Sequence, residues 1–201
     1  MSECSRRLLA ILGGLALAIV QASPALADPV RDAQWHLSYL DIARVHRITQ
    51  GEGITVAVLD SGINGNHADL VGNVLSGVSL VPGHPGNGWE NVDDHGTSMA
   101  TIIAAHGHDG GGLLGIAPQA KLLPVQIDSG TTMGDEGILA NGIDNAVERG
   151  ARVISISLGR ESSDELQAAV ARAQRADVVI VAAAGNAPLT TSVVSPARYD
   201  G

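Results

Sequence analysis

Residues 54–59, ITVAVL, form an unbroken apolar and β-branched run that ends in Asp60-Ser61-Gly62. A run without polar alternation fits a strand buried on both faces, and such strands belong to parallel sheets covered by helices on each side. The run has companions: 74–81, KLLPVQI over 121–127, RVISISL over 152–158 and VVIVAAA over 178–184 all read as strands. Pro124 removes a ladder donor and predicts a sheet edge or a bulge. Helical patterns lie between the runs. One covers 95–105; a second covers 137–149, with Ile138, Leu139, Ile143, Ala146 and Val147 on one stripe. A third opens with a capping-box pattern at Ser162–Glu165 and continues through Gln174. Such alternation predicts an α/β, three-layer fold, a mostly parallel sheet with helices on both faces. Phe is absent and aromatics make up only 2% of the chain, so Ala, Val, Ile and Leu must build the core.

Residues 1–27 read as a secretory signal peptide. Arg6 and Arg7 give a positive start, Leu8–Val20 is an apolar run, and Ala25-Leu26-Ala27 is a small-x-small cleavage pattern. Export with cleavage near Ala27 is expected, leaving Asp28 first. The apolar run is short for a membrane span of ~20 residues. The single cysteine, Cys4, falls in this segment, so residues 28–201 hold no thiol and no disulfide. Residues 28–50 read as an N-terminal arm with a short helix and Trp35, Leu37, Leu40, Ile42 and Val45 as apolar anchors. The formal net charge is -9 with only 12 Lys and Arg, which disfavours nucleic acid as a partner.

Ligands of open parallel sheets bind beyond the carboxyl ends of the strands. Three polar groups fall there: Asp60, Ser157-Leu158-Gly159 and Gly185-Asn186. A strand-end carboxylate can hold one imidazole nitrogen, leaving the other to take a proton from a nucleophile. His95, in Asp93-Asp94-His95-Gly96-Thr97, is the candidate imidazole, and Gly96 beside it allows close approach. Taken singly, an Asp after an apolar strand also suits nucleotide or metal sites, and a lone histidine is more often structural. The glycines Gly110–Gly112 and Gly115 before Ala117-Pro118 lack the Gly-Lys-Ser/Thr of a phosphate loop and read as a structural turn.

VAVLDSGI with the following His67-Ala68-Asp69-Leu70, then DDHGT, ISISLG and AAAGN, resemble the subtilase family of subtilisin-like serine peptidases, in its characteristic order. The similarity covers about residues 35–201. It implies a subtilisin-like sheet and secreted endopeptidase chemistry by an Asp-His-Ser triad, with protein or peptide as substrate. By resemblance Asp60 is the orienting acid, His95 the general base and Asn186 the oxyanion donor. Ser157, Leu158, Gly159, Ala184 and Gly185 match the substrate-binding segments. No cofactor is required for that catalysis; a structural calcium is compatible with the family but gets no ligand assignment, and a monomer is expected. The Gly- and Ala-rich style further resembles mycosin-type peptidases, relatives that can carry a C-terminal membrane anchor, for which nothing in this sequence speaks.

The family places its nucleophile in a Gly-Thr-Ser-Met-Ala-x-Pro motif near the domain's end, and no such motif follows Asn186. The chain therefore reads as a partial domain over 28–201 whose C-terminal part, with the serine, is missing, and which is inactive as given. Gly96-Thr97-Ser98-Met99-Ala100 spells the motif but overlaps the histidine motif, and Ser98 is expected to point into the body of the fold. Ser155, Ser157, Ser192 and Ser195 sit in no such motif. Two rivals remain: a non-catalytic peptide-binding pseudoenzyme or inactive gene fragment, and an unrelated α/β hydrolase or nucleotide-binding domain. The second lacks its G-x-S-x-G or phosphate loop.

Overall fold

The computed structural model describes residues 28–128, 136–188 and 190–200. The expected signal peptide with Cys4 lies outside the described residues. Five strands form one parallel sheet in the order β2-β5-β1-β6-β7. They are β1 (Thr55–Asp60), β2 (Val78–Ser79), β5 (Lys121–Gln126), β6 (Val153–Ile156) and β7 (Val179–Ala182). Helix α4 (His95–Ala104) covers one face, and α5 (Glu136–Glu148) with α6 (Asp164–Arg175) covers the other.

The covering on both faces explains the unbroken run of β1. Ala57 and Leu59 pack with Leu139 and Ile143 of α5 and Leu166 of α6, while Val56 and Val58 pack with Ala100 and Ala104 of α4. Small side chains on α4 let its axis come close to the sheet. In place of Ser162, Ser163 is the N-cap of α6, its hydroxyl accepting from Leu166 N at 3.2 Å. Such a cap contributes ~1 kcal/mol.

Three expectations need correction. The strand expected over 74–81 shrinks to β2 and a single bridge between Val74 and Leu122. The cause is Gly77, which crowds the Pro124 carbonyl so closely that a Cβ there would lie 1.8 Å from its oxygen. Gly77 N donates instead to Asn87 O at 2.9 Å, outside the ladder. Pro124 sits in an inner strand, yet Leu122 N and Leu80 N show its ladder side: the missing donor faces this interrupted segment. Secondly, β7 is not buried on both faces. It is the edge of the sheet, and Val179 and Val181 are 59% and 57% exposed.

The arm is the third correction. It forms α1 (Pro29–Asp32), α2 (Trp35–Tyr39) and α3 (Ile42–His46), but only Ile42 among its expected apolar anchors is buried, and Trp35 is 70% exposed. Helices of four or five residues cannot carry an apolar stripe of their own. Polar groups fasten them instead to the hairpin β3 (His106–His108) and β4 (Gly111–Leu114). Arg31 Nε donates to Gly112 O at 2.8 Å, and the Gln34 amide brackets Leu114, donating to its O and accepting from its N. The Gly-rich stretch is the turn of that hairpin, with Asp109 and Gly110 both at positive φ.

Candidate active site

Asp60 closes β1 and is 1% exposed. Its Oδ1 accepts from Ser61 N at 2.8 Å and meets His95 Nδ1 at 2.8 Å. Oδ2 is buried with no partner among the described residues. The apolar strand thus delivers a desolvated carboxylate to the carboxyl end of the sheet, where a cationic partner is worth most.

His95 is the first residue of α4, and its side chain remains 45% exposed. Gly96 brings it within reach. A Cβ at 96 would lie 2.2 Å from Gly62 O and 3.1 Å from the Asp60 carboxylate, so only glycine lets the helix start against the end of β1. Asp94, the residue before the helix, makes no side-chain cap. Asp93 does that work: its Oδ1 accepts from His95 N at 2.9 Å and from the Ser61 hydroxyl at 2.5 Å. Gly96 N in turn donates to Ser61 Oγ at 3.2 Å, and Gln126, at the end of β5, donates to the carbonyls of Ser61 and Glu90. Sequence reading missed Ser61, Asp93 and Gln126 as positioning groups. The first two lie inside motifs quoted for Asp60 and His95, which was the only available signal.

The Asp60 hydrogen bond raises the His95 pKa above the ordinary imidazole value; partial burial opposes this, and the charges of Asp60, Asp93 and Asp128 add to it. The Ser61 hydroxyl, followed by the His95 backbone N–H, holds the Asp93 carboxyl below its usual range. A raised histidine pKa means that the ion pair stabilises the fold below the unfolded imidazole pKa, and that this is lost as pH rises through the folded value. The free base predominates only above that folded value. The His95 ring is therefore expected to titrate by NMR above ~6.5. A value at or below that would show that Asp60 does not engage it in solution.

The remaining predicted residues lie at neighbouring strand ends. Leu59 pairs with Ile156 and Ile156 with Ala182, so Asp60, Ser157 and Ala183 each stand one residue beyond a common rung. Ser157, Leu158 and Gly159 are half-buried, and Ala184, Gly185 and Asn186 are exposed. Asn186 O accepts from Thr190 N at 2.8 Å, while its side-chain amide has no hydrogen-bond partner among the described residues. Ala184 O accepts from Val194 N at 3.2 Å, joining this segment to the stretch before Ser195.

Ser98 behaves differently from expectation. It is exposed rather than turned into the fold, and its hydroxyl donates to Asp94 O of its own helix at 2.7 Å. Among the described residues no hydroxyl hydrogen-bonds His95 Nε2, and no three His, Cys, Asp or Glu side chains converge as metal ligands. No described helix is long and apolar enough to cross a membrane.

The family model described as the subtilase family matches residues 51–201. Thermitase of Thermoactinomyces vulgaris is 40% identical over 153 residues, 76% of this chain and 54% of that protein. Subtilisin E of Bacillus subtilis (strain 168) is 39% identical over 153 residues, 74% of this chain and 39% of that protein. The crystal structure of MycP1 with the N-terminal propeptide removed superposes with a TM-score of 0.66 at 35% identity, covering 76% of this chain and 49% of that one. The chain spans about half the length of the first of these relatives.

Proposed function

The chain belongs to the subtilase family, and from that premise we propose that the protein is a secreted serine endopeptidase in which Asp60 and His95 are the acid and base of the triad. The observation that carries this is the 2.8 Å contact between the buried Asp60 carboxylate and His95 Nδ1, with Nε2 left on the open side. Bound this way, the imidazole holds its proton on Nδ1 and presents Nε2 as the base. It removes the proton of a serine hydroxyl as that oxygen attacks the peptide carbonyl, and returns it to the leaving amine.

Asn186 donates its side-chain amide to the oxyanion that forms in this attack. Ser157–Gly159 and Ala184–Gly185 present backbone to an extended substrate, which adds to them as a strand. The mechanism requires no cofactor. Export follows from the leader pattern of residues 1–27. The reacting serine is assigned outside residues 1–201, because Ser98, the only residue in a matching motif, spends its hydroxyl on its own helix.

The test is to treat the full-length protein with a fluorophosphonate probe and map the adduct by mass spectrometry, with casein cleavage measured alongside. One serine labelled outside residues 1–201, and casein cut, is the expected result. An adduct on Ser98 would overturn the assignment of the nucleophile. No adduct, no cleavage, but saturable binding of an extended peptide would replace the peptidase with a peptide-binding pseudoenzyme.

A further inference from the structure

Ser61 follows the Asp60 carboxylate and is 2% exposed, and all of its polar groups are engaged. Its N–H donates to Asp60 Oδ1 at 2.8 Å, and its carbonyl accepts from the buried Gln126 amide at 3.1 Å. Its hydroxyl accepts from Gly96 N at 3.2 Å and has one proton to give, which goes to Asp93 Oδ1 at 2.5 Å. The same carboxylate oxygen accepts from His95 N at 2.9 Å. The first two backbone N–H groups of α4 are therefore tied, through Asp93 and Ser61, to the residue that follows Asp60. His95 is joined to the end of β1 twice, by its ring and by its backbone.

The loop that carries Asp93 is itself fixed. The Gln126 amide bridges Ser61 O and Glu90 O, and the Asn91 amide reaches Asp93 O and Asp94 Oδ1 at 3.4 Å each. Three carboxylates act on the His95 ring from different elements: Asp60 at the end of β1, Asp93 ahead of α4, and Asp128 just beyond β5. Asp60 bonds the ring, whereas Asp93 bonds the backbone of the same residue. Asp93 stays anionic while the ring titrates, because the Ser61 hydroxyl and the His95 N–H hold its carboxyl below the usual range. A negative charge fixed beside an imidazole favours its protonated form.

We propose that Asp93 is a positioning residue for the base: bridged by Ser61, it holds the start of α4 so that His95 Nδ1 meets Asp60, and it sets a second fixed negative charge beside the imidazolium. That His95 acts as a base rests on the peptidase reading. The brace and its effect on the ring do not. The two parts separate chemically. Asp93→Asn keeps an oxygen for the Ser61 hydroxyl and the His95 N–H, both of which donate to it, and removes only the charge. Asp93→Ala removes brace and charge together.

In the full-length protein the His95 Hε1 resonance is followed against pH for the parent, Asp93→Asn and Asp93→Ala, while kcat and KM are measured over the same range on a peptide substrate. The ring should titrate at lower pH in Asp93→Asn than in the parent, since one of the charges that raise it is gone, and the acid limb of kcat should move the same way. A purely structural role would not move the titration of a folded variant. Asp93→Ala should lower kcat about 10²-fold with KM nearly constant, the cost of a misplaced catalytic group, and Asp93→Asn should restore much of that loss. Ser61→Ala should match Asp93→Ala, and the double variant should fall no further than either, because both break one brace. A ring that titrates in Asp93→Asn as it does in the parent, or parental kcat in Asp93→Ala, would overturn the proposal. Should Asp93→Ala not fold, the ring titration of Asp93→Asn decides. If the parent cuts no peptide, the peptidase reading fails, and the NMR comparison still tests Asp93.

Discussion

Replacing Asp60 by Asn in the full-length protein is expected to lower kcat about 10⁴-fold with little change in KM, a magnitude borrowed from serine-peptidase triads. Two effects act together. The neutral amide no longer stabilises the imidazolium that forms when His95 takes the serine proton. If the amide turns its NH₂ toward the ring, Nδ1 must accept, and the proton moves to Nε2, where the base is needed. The substitution also removes the largest cause of the raised His95 pKa, so what activity remains should have its acid limb at lower pH than the parent. Loss of folding alone would not move that limb. A fall in kcat of less than tenfold, with the limb unmoved, would sink the role given to Asp60.

The Asp60–His95 contact was legible because each partner is fixed by local rules that sequence displays. An apolar run buried on both faces must end somewhere, and a carboxylate at its end faces the ligand side of a parallel sheet. His95 stands before a glycine that the geometry shows to be required. The brace around them was not legible. Ser61 and Asp93 lie 32 residues apart and meet through a hydroxyl–carboxylate bond, and nothing in either local pattern announces such a pairing. The same limit hid the arm. Trp35 and Leu40 read as anchors because they are apolar, yet short helices are held here by Arg31 and Gln34 reaching backbone about 80 residues away. The run 178–184 looked like β1, but an edge position leaves alternate residues of β7 in the open, and hydropathy alone does not distinguish edge from centre.

Asn186→Ala is the second large effect, an expected fall of ~10²–10³ in kcat with KM nearly constant. That magnitude was measured on a subtilisin and is borrowed for this relative. In this structure the amide is placed and unoccupied. Gly185 before it adopts φ 114°, a turn that swings the chain off β7, and Asn186 O is pinned by Thr190 N. The side-chain amide has no partner among the described residues, so it can donate to a developing oxyanion without first breaking another bond. An amide that bonds the oxyanion better than the ground-state carbonyl acts on kcat, whereas one that merely grips substrate acts on KM. Asn186→Asp sharpens the test, because it keeps the size, removes the donors and sets a negative charge against the oxyanion. Its kcat should fall below that of the alanine variant. An alanine variant with raised KM and unchanged kcat would make Asn186 a substrate-binding residue only.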